Sequence, residues 1–170
     1  MLDSIFPYKF EVPGYARIIH DPDSPDQPNW INIQVPANKA EIHISYYPVD
    51  NRKVAGNKIQ GNERGKPKHL ARLIEDSRKF VYEHTIKADA INEQVFMNPA
   101  NKVYGTVYFI EGNAASPLQF YLTDSISNFL RGALYIREVP NIDSLRPVIE
   151  FLKTDIIRLM ESTSWKNENN

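Results

Sequence analysis

Three aromatic-rich segments separated by two short turns occupy residues 102 to 138, and this stretch leaves few folds open to the chain. The segments run over 103–110, 118–123 and about 129–136. The residues between them include Gly, Asn, Ser and Asp, which favour turns. Connections this short join neighbouring antiparallel strands. The stretch therefore predicts an antiparallel β-meander.

The first strand of the meander carries apolar side chains on both of its faces. A strand of this kind is covered on both sides, so a layer of structure is expected on each face of the sheet. One face is formed by Val103, Val107 and Phe109 and the other by Tyr104, Tyr108 and Ile110.

Two long helices are predicted, one before and one after the meander. The first begins near Pro67, because proline is tolerated in the first turn, and it extends to His84. The second runs from Ser144 as N-cap to about Ser162, which places Pro147 at the third helical position. Their apolar stripes consist of Leu70, Leu73, Ile74, Ser77, Phe80, Val81 and His84, and of Leu145, Val148, Ile149, Leu152, Ile156, Leu159 and Met160.

The first sixty residues are rich in proline, which excludes helices and keeps strands short. Alternating side chains predict strands over 15–20, 31–35 and 42–46 at or near the edge of a sheet, and a further strand over 89–97. Residues 51–66 contain three glycines and show no period, so we expect a mobile loop there.

Together these patterns predict an α+β fold. We expect a mainly antiparallel sheet of about seven strands with two long helices, arranged as an α/β/α sandwich. The 170 residues suffice for one core of ordinary size, so a single globular domain over 1–170 is predicted. Its ends, 1–5 and 163–170, are expected to fray.

Composition argues against several classes of function. The formal net charge of −1 provides no basic field for nucleic acid, so no nucleic-acid partner is predicted. The chain has no cysteine, which removes disulfides, thiolate metal sites and cysteine nucleophiles. No cofactor is predicted, because the sequence lacks a phosphate-binding loop, a dinucleotide fingerprint and an H-E-x-x-H motif. The acidic segment 20–26 lacks the EF-hand spacing, so no metal site is predicted there.

Small polar residues gather at the turns of the meander and are the candidates for binding. They are expected to make contacts or turns, and not to act as catalysts, because side chains of this kind hydrogen-bond the backbone of turns. These candidates are Asn113, Ser116, Thr123, Asp124 and Ser125.

Arg131 completes the set of candidate binding residues. Alternation places it among apolar and aromatic side chains on one face of the third meander strand, where a guanidinium requires a partner. Glu75 or Asp76 on the first helix would supply a carboxylate and tie the helix to the sheet. Alternatively, Arg131 opens into a groove and captures an anionic group of a partner.

Two other functions remain open on the residues alone. A hydrolase would use Ser125 or Ser116 with His43 or His84, although the sequence has no G-x-S-x-G elbow and His84 fits a helix core position. A small-ligand-binding domain would instead use a cleft between Arg131 and three tyrosines of the meander. These tyrosines are Tyr104, Tyr108 and Tyr121.

Four strings spread over nearly the whole chain carry a family resemblance. Together they resemble the GldD-type gliding-motility lipoproteins of Bacteroidota, and the order of helices around the meander is also similar to the Mog1/PsbP-like sandwich. None of the strings is a catalytic motif. They read FPYKFEVPGYARI, LIEDSRKFVYEHTIKADAI, YFIEGNAASPLQFYLTDS and FLRGALYIREVPNIDSLRPVIEFLKTDIIRLMES.

The resemblance implies an accessory component of the cell envelope, without enzymatic activity, that serves gliding and the protein secretion coupled to it. Such proteins carry a signal and a lipidated cysteine, and this sequence has neither. We expect the membrane to be reached only through that lipid anchor, at the periplasmic face. The expected partners are other gliding or secretion proteins of the envelope, contacted by the loops after residues 48, 111 and 123.

Overall fold

The computed structural model describes residues 5–50, 68–83, 88–138 and 141–166, and these contain nine strands and two α-helices. The predicted mobile loop at 51–66 and His84 lie outside the described residues. The strands are β1 (Tyr8–Lys9), β2 (Arg17–His20), β3 (Ile31–Val35), β4 (Ala40–Pro48), β5 (Ala88–Asn98), β6 (Val103–Gly112), β7 (Leu118–Thr123), β8 (Asn128–Ile136) and β9 (Ser164–Trp165). The helices are α1 (Leu70–Glu83) and α2 (Ile142–Ser162).

Seven of these strands form one antiparallel sheet in the order β2-β3-β4-β8-β7-β6-β5. The meander is confirmed, because β6, β7 and β8 are consecutive neighbours in the sheet. β4, expected at or near an edge, is the third of the seven strands: it pairs with β3 on one side and along its whole length with β8 on the other. Alternation indicates how many faces of a strand are buried, but it does not identify the strand's neighbours.

The two helices cover opposite faces of this sheet. On one face, Ile42, Leu134 and Phe120 pack with Leu152 and Ile156 of α2 in the main core. On the other face, Val81 of α1 packs with Tyr108 and Ile110 of β6. The predicted α+β fold, with a mainly antiparallel seven-stranded sheet and two helices, is confirmed. Its likeness to the Mog1/PsbP sandwich stays a prediction.

Residues 163–165 differ from the expected frayed tail. Residues 164–165 form β9, which pairs with β1, and Thr163 is fully buried. The Trp165 indole donates a hydrogen bond to the Lys102 carbonyl at 3.0 Å. These partners are distant in sequence, so a local pattern does not reveal them.

The start of α2 also differs from the prediction. The helix begins at Ile142 with Asn141 as N-cap, so Pro147 is its sixth residue and not its third. The Asn141 side chain makes no capping hydrogen bond. Instead, the Ile142 N–H donates to Asn113 Oδ1 at 3.0 Å, so a side chain from the β6–β7 connection satisfies the helix terminus.

Candidate functional site

The turn between β7 and β8 is held by the side chains of Thr123 and Asp124. Asp124 Oδ1 accepts hydrogen bonds from the N–H groups of Ile126, Ser127 and Asn128, each at 2.9 Å. Thr123 Oγ1 accepts from the Ser125 N–H at 2.9 Å, and Ser125 adopts a left-handed φ of 67°. The turn-making role predicted for Thr123 and Asp124 is confirmed.

Replacing Asp124 by alanine is expected to lower the free energy of unfolding by about 1–2 kcal/mol, because three backbone N–H groups of the turn, of which that of Asn128 is partly buried, lose a charged acceptor. Burial acts to raise the pKa of Asp124, but the hydrogen bonds from Asn128, Ile126 and Ser127 outweigh it and lower that pKa below its ordinary value. A lowered pKa stabilises the fold above the unfolded value of about 3.9, and the contribution is lost as pH falls through the folded value.

Urea unfolding at pH 7 and pH 3 measures this effect, with Asp124→Asn as the matched control that keeps an acceptor oxygen. The stability difference between the wild type and Asp124→Asn is expected to be largest at pH 7 and to shrink below about pH 4. A difference that does not change with pH contradicts this account of the turn.

The other predicted binding residues, Asn113 and Ser116, lie in the connection between β6 and β7. This connection is at the opposite end of β7 from Thr123, roughly 20 Å away for a six-residue strand. Asn113 caps α2, while the Ser116 hydroxyl is buried and has no hydrogen-bond partner within the described ranges. The structure therefore does not bring the turn residues together into one site.

A groove of about 260 Å³ separates α1 from strands β4 and β8. Arg131 lies in it, so the predicted opening of this side chain into a groove is present. Its walls are aromatic and its charged groups are mostly cationic. The walls include Tyr47, Phe80 and Phe129, and the charged groups are Lys68, Arg72, Lys79, Arg131, Asp76 and Glu83.

The Arg131 guanidinium is held in place without a carboxylate. Its Nη2 donates to Gln119 Oε1 at 2.7 Å, and its Cζ lies 4.7 Å from the centre of the Phe80 ring. Burial lowers the pKa of Arg131, and the nearby Tyr135 and Tyr47 oppose that shift. Over the ranges that the structure describes, no aspartate or glutamate forms an ion pair with it. The expected tie to Glu75 or Asp76 is therefore wrong.

The tyrosines expected around a ligand cleft do not line this groove. Tyr108 is 2% exposed and packs against Val81, and this burial raises its pKa to about 12. Tyr121 stacks on Phe129 at 5.3 Å and hydrogen-bonds with Thr106. Tyr47 lines the groove in place of these tyrosines, because β4 lies directly beside β8 in the sheet.

A second polar cluster, which the sequence reasoning missed, lies on the same face of the sheet. Glu41 is only 5% exposed, and its carboxylate contacts His43 at 3.1 Å and Arg137 at 2.5 Å. The His43 ring also packs on Tyr135, 4.9 Å between centres. Glu41 alternates with apolar residues in the sequence and so resembles a solvent-facing side chain, which gives no local signal of this cluster.

The serine and histidine candidates are not joined in the part of the chain that is described. There, no hydrogen bond links a serine hydroxyl to His20, His43 or His69, and His43 contacts Glu41 instead. Within the same part, no group of three or more His, Asp or Glu side chains is placed to hold a metal ion. Neither α1 nor α2 combines the length and the apolar character that a membrane crossing requires.

Comparison with known proteins identifies the family. No curated protein and no solved structure matches the chain. The model of one family, described as gliding motility lipoprotein GldD, matches residues 1–165. That match covers nearly the whole chain, including both helices and every strand described above. The chain therefore belongs to the gliding motility lipoprotein GldD family.

Proposed function

We propose that this protein is a non-enzymatic interaction module of the envelope machinery for gliding and for the type IX secretion coupled to it. Family membership gives the role in gliding motility and the association with a membrane as a lipoprotein. We place the protein at the periplasmic face of a membrane, where a lipid anchor holds the domain close to other envelope proteins. The lipid group would hold the domain at the membrane, and contacts with other envelope proteins would add to that attachment.

The observation that carries the interaction role is the Arg131 guanidinium in its groove. A largely buried cation with no carboxylate partner among the described residues costs stability, and a partner protein that supplied a carboxylate would offset that cost. The groove begins at the end of the sheet where the loops after residues 48 and 123 meet, since the Val49 N–H donates to the Ser127 carbonyl at 2.8 Å. Ile126, at the tip of the second loop, is 69% exposed.

The proposed contact surface is therefore the turn end, which we define as Val49–Asp50, Lys68, Asp124–Ser127 and the adjoining groove. Exposed apolar side chains beside a desolvated charge are typical of the centre of a protein interface. The loop after residue 111 is at the other end of β7 and is not part of this surface.

Replacing Arg131 by glutamine is expected to abolish colony spreading in a gliding bacterium whose own copy of the gene is deleted. The full-length lipoprotein carrying the change should accumulate to the wild-type level, because glutamine keeps a polar side chain beside Gln119 and removes a charge that has no carboxylate partner among the described residues. Spreading and protein level are measured together, by colony diameter and immunoblot.

Arg17→Gln is the matched control, since Arg17 is an exposed arginine on the edge strand β2. It should spread like the wild type. Normal spreading of Arg131→Gln contradicts the proposed role of the groove.

A further inference from the structure

We propose that the groove between α1 and strands β4 and β8 is a carboxylate-binding site, in which Arg131 receives one carboxylate attached to an apolar or aromatic group. This inference rests on the proposed function and names the chemistry of what the groove takes. The carboxylate would belong either to a small free acid or to the C-terminus of a chain.

The Arg131 guanidinium supplies the charge and the donor geometry that bind a carboxylate. Arginine presents a planar set of donors that matches a carboxylate in a bidentate arrangement. Its Nη2 donates to Gln119, and the Tyr135 side chain is a second polar neighbour, which leaves further N–H donors of the guanidinium for a ligand. Phe80 lies against the guanidinium on one side and Gln119 accepts from it on another, so the side chain is restricted in its motion before any ligand arrives.

The walls of the groove indicate what is attached to the carboxylate. Tyr47, Phe80 and Phe129 surround Arg131, and Leu73 of α1 closes the floor. A volume of about 260 Å³ is enough for one ring or branched aliphatic group beside the charged group. Burial of such a group against aromatic rings is favourable, by about 25 cal/mol for each Å² removed from water.

The charge of the groove favours an anion, and its aromatic walls favour a carboxylate on an apolar group over inorganic phosphate. Lys79 is already 3.7 Å from Glu83, which leaves Lys68, Arg72 and Arg131 against Asp76. Lys68 lies over the Tyr47 ring at 5.3 Å, at the mouth of the groove. One carboxylate reduces this excess of positive charge, whereas inorganic phosphate would balance it but has no apolar group to bury against the rings of Tyr47, Phe80 and Phe129.

Isothermal titration with four probes tests the assignment on the purified chain. The probes are phenylacetate, an acetylated Gly-Gly-Phe tripeptide with a free C-terminus, the same tripeptide amidated, and inorganic phosphate. At least one of the first two is expected to bind, and the amide and phosphate at least tenfold more weakly. Tighter binding of phenylacetate identifies a small free acid, and tighter binding of the tripeptide identifies a chain terminus.

Substitutions locate the binding at Arg131. Arg131→Lys keeps the charge but loses the planar donors, so we expect binding of the carboxylate probe at least tenfold weaker, and Arg17→Gln should bind like the wild type. The inference is overturned if neither carboxylate binds, if the amide or phosphate binds as tightly, or if Arg131→Lys has no effect. Loss of spreading in Arg131→Gln without carboxylate binding would overturn this inference alone. Carboxylate binding with normal spreading would overturn the proposed function.

Discussion

Replacing Gly132 by alanine is expected to lower the free energy of unfolding by about 3 kcal/mol or more. Gly132 lies in the middle of β8, paired with Ile44 on one side and Phe120 on the other. A Cβ at this position would be 2.2 Å from Cζ of the Phe120 ring. Phe120 is 1% exposed in the core beneath α2, so its ring has no free space into which it can move.

Urea unfolding measures this loss, with Gly14→Ala as the control because a Cβ there has no atom within 4 Å. The control is expected to stay within about 0.5 kcal/mol of the wild type. Adding Phe120→Leu to Gly132→Ala should recover part of the loss, since leucine removes the ring atoms that clash. If the losses caused by Gly132→Ala and Phe120→Leu simply add, or if Gly132→Ala is as stable as the wild type, then the Phe120 ring does not depend on the missing Cβ at position 132.

Replacing Arg131 by methionine together with Gln119 by leucine is expected to abolish spreading completely while the protein remains folded. Gln119 is 1% exposed, its Nε2 has no hydrogen-bond partner in the described structure, and its Oε1 accepts from Arg131. Changing both residues removes the charge and the amide together, so no buried polar group of this pair is left without its partner.

The matched control for this variant is Arg17→Met, which makes the same chemical change at an exposed arginine of the same sheet. The control should spread normally and the double variant should not, at equal protein levels in the envelope. Spreading by the double variant would mean that the groove is not needed for motility.

The meander and the helices could be predicted because their signals are local. Turn residues between 103–110 and 118–123 fix a hairpin, and spacings of three and four place Leu152 and Ile156 on one face of α2. The two-sided pattern of β6 correctly required a layer on each face. Each of these inferences uses residues within a few positions of one another.

What the sequence did not reveal depends on neighbours that are distant along the chain. The position of β4 beside β8 brings Tyr47 next to Phe129, and these two residues are far apart in sequence. The cap of α2 comes from Asn113, and the strand partner of Trp165 is Tyr8. Alternation alone points to Arg131 as a candidate. Whether a described carboxylate pairs with it depends on how α1 packs against the sheet, which a local pattern does not show.

The most direct test of the central claim, that Arg131 is kept for a partner and not for the fold, is equilibrium unfolding of the Arg131→Met/Gln119→Leu variant in urea. We predict a free energy of unfolding equal to the wild-type value within about 1 kcal/mol, or higher, because a buried charge that has no carboxylate partner among the described residues is replaced by apolar packing. A loss of about 3 kcal/mol or more, the usual result of breaking a buried charge network, would contradict it.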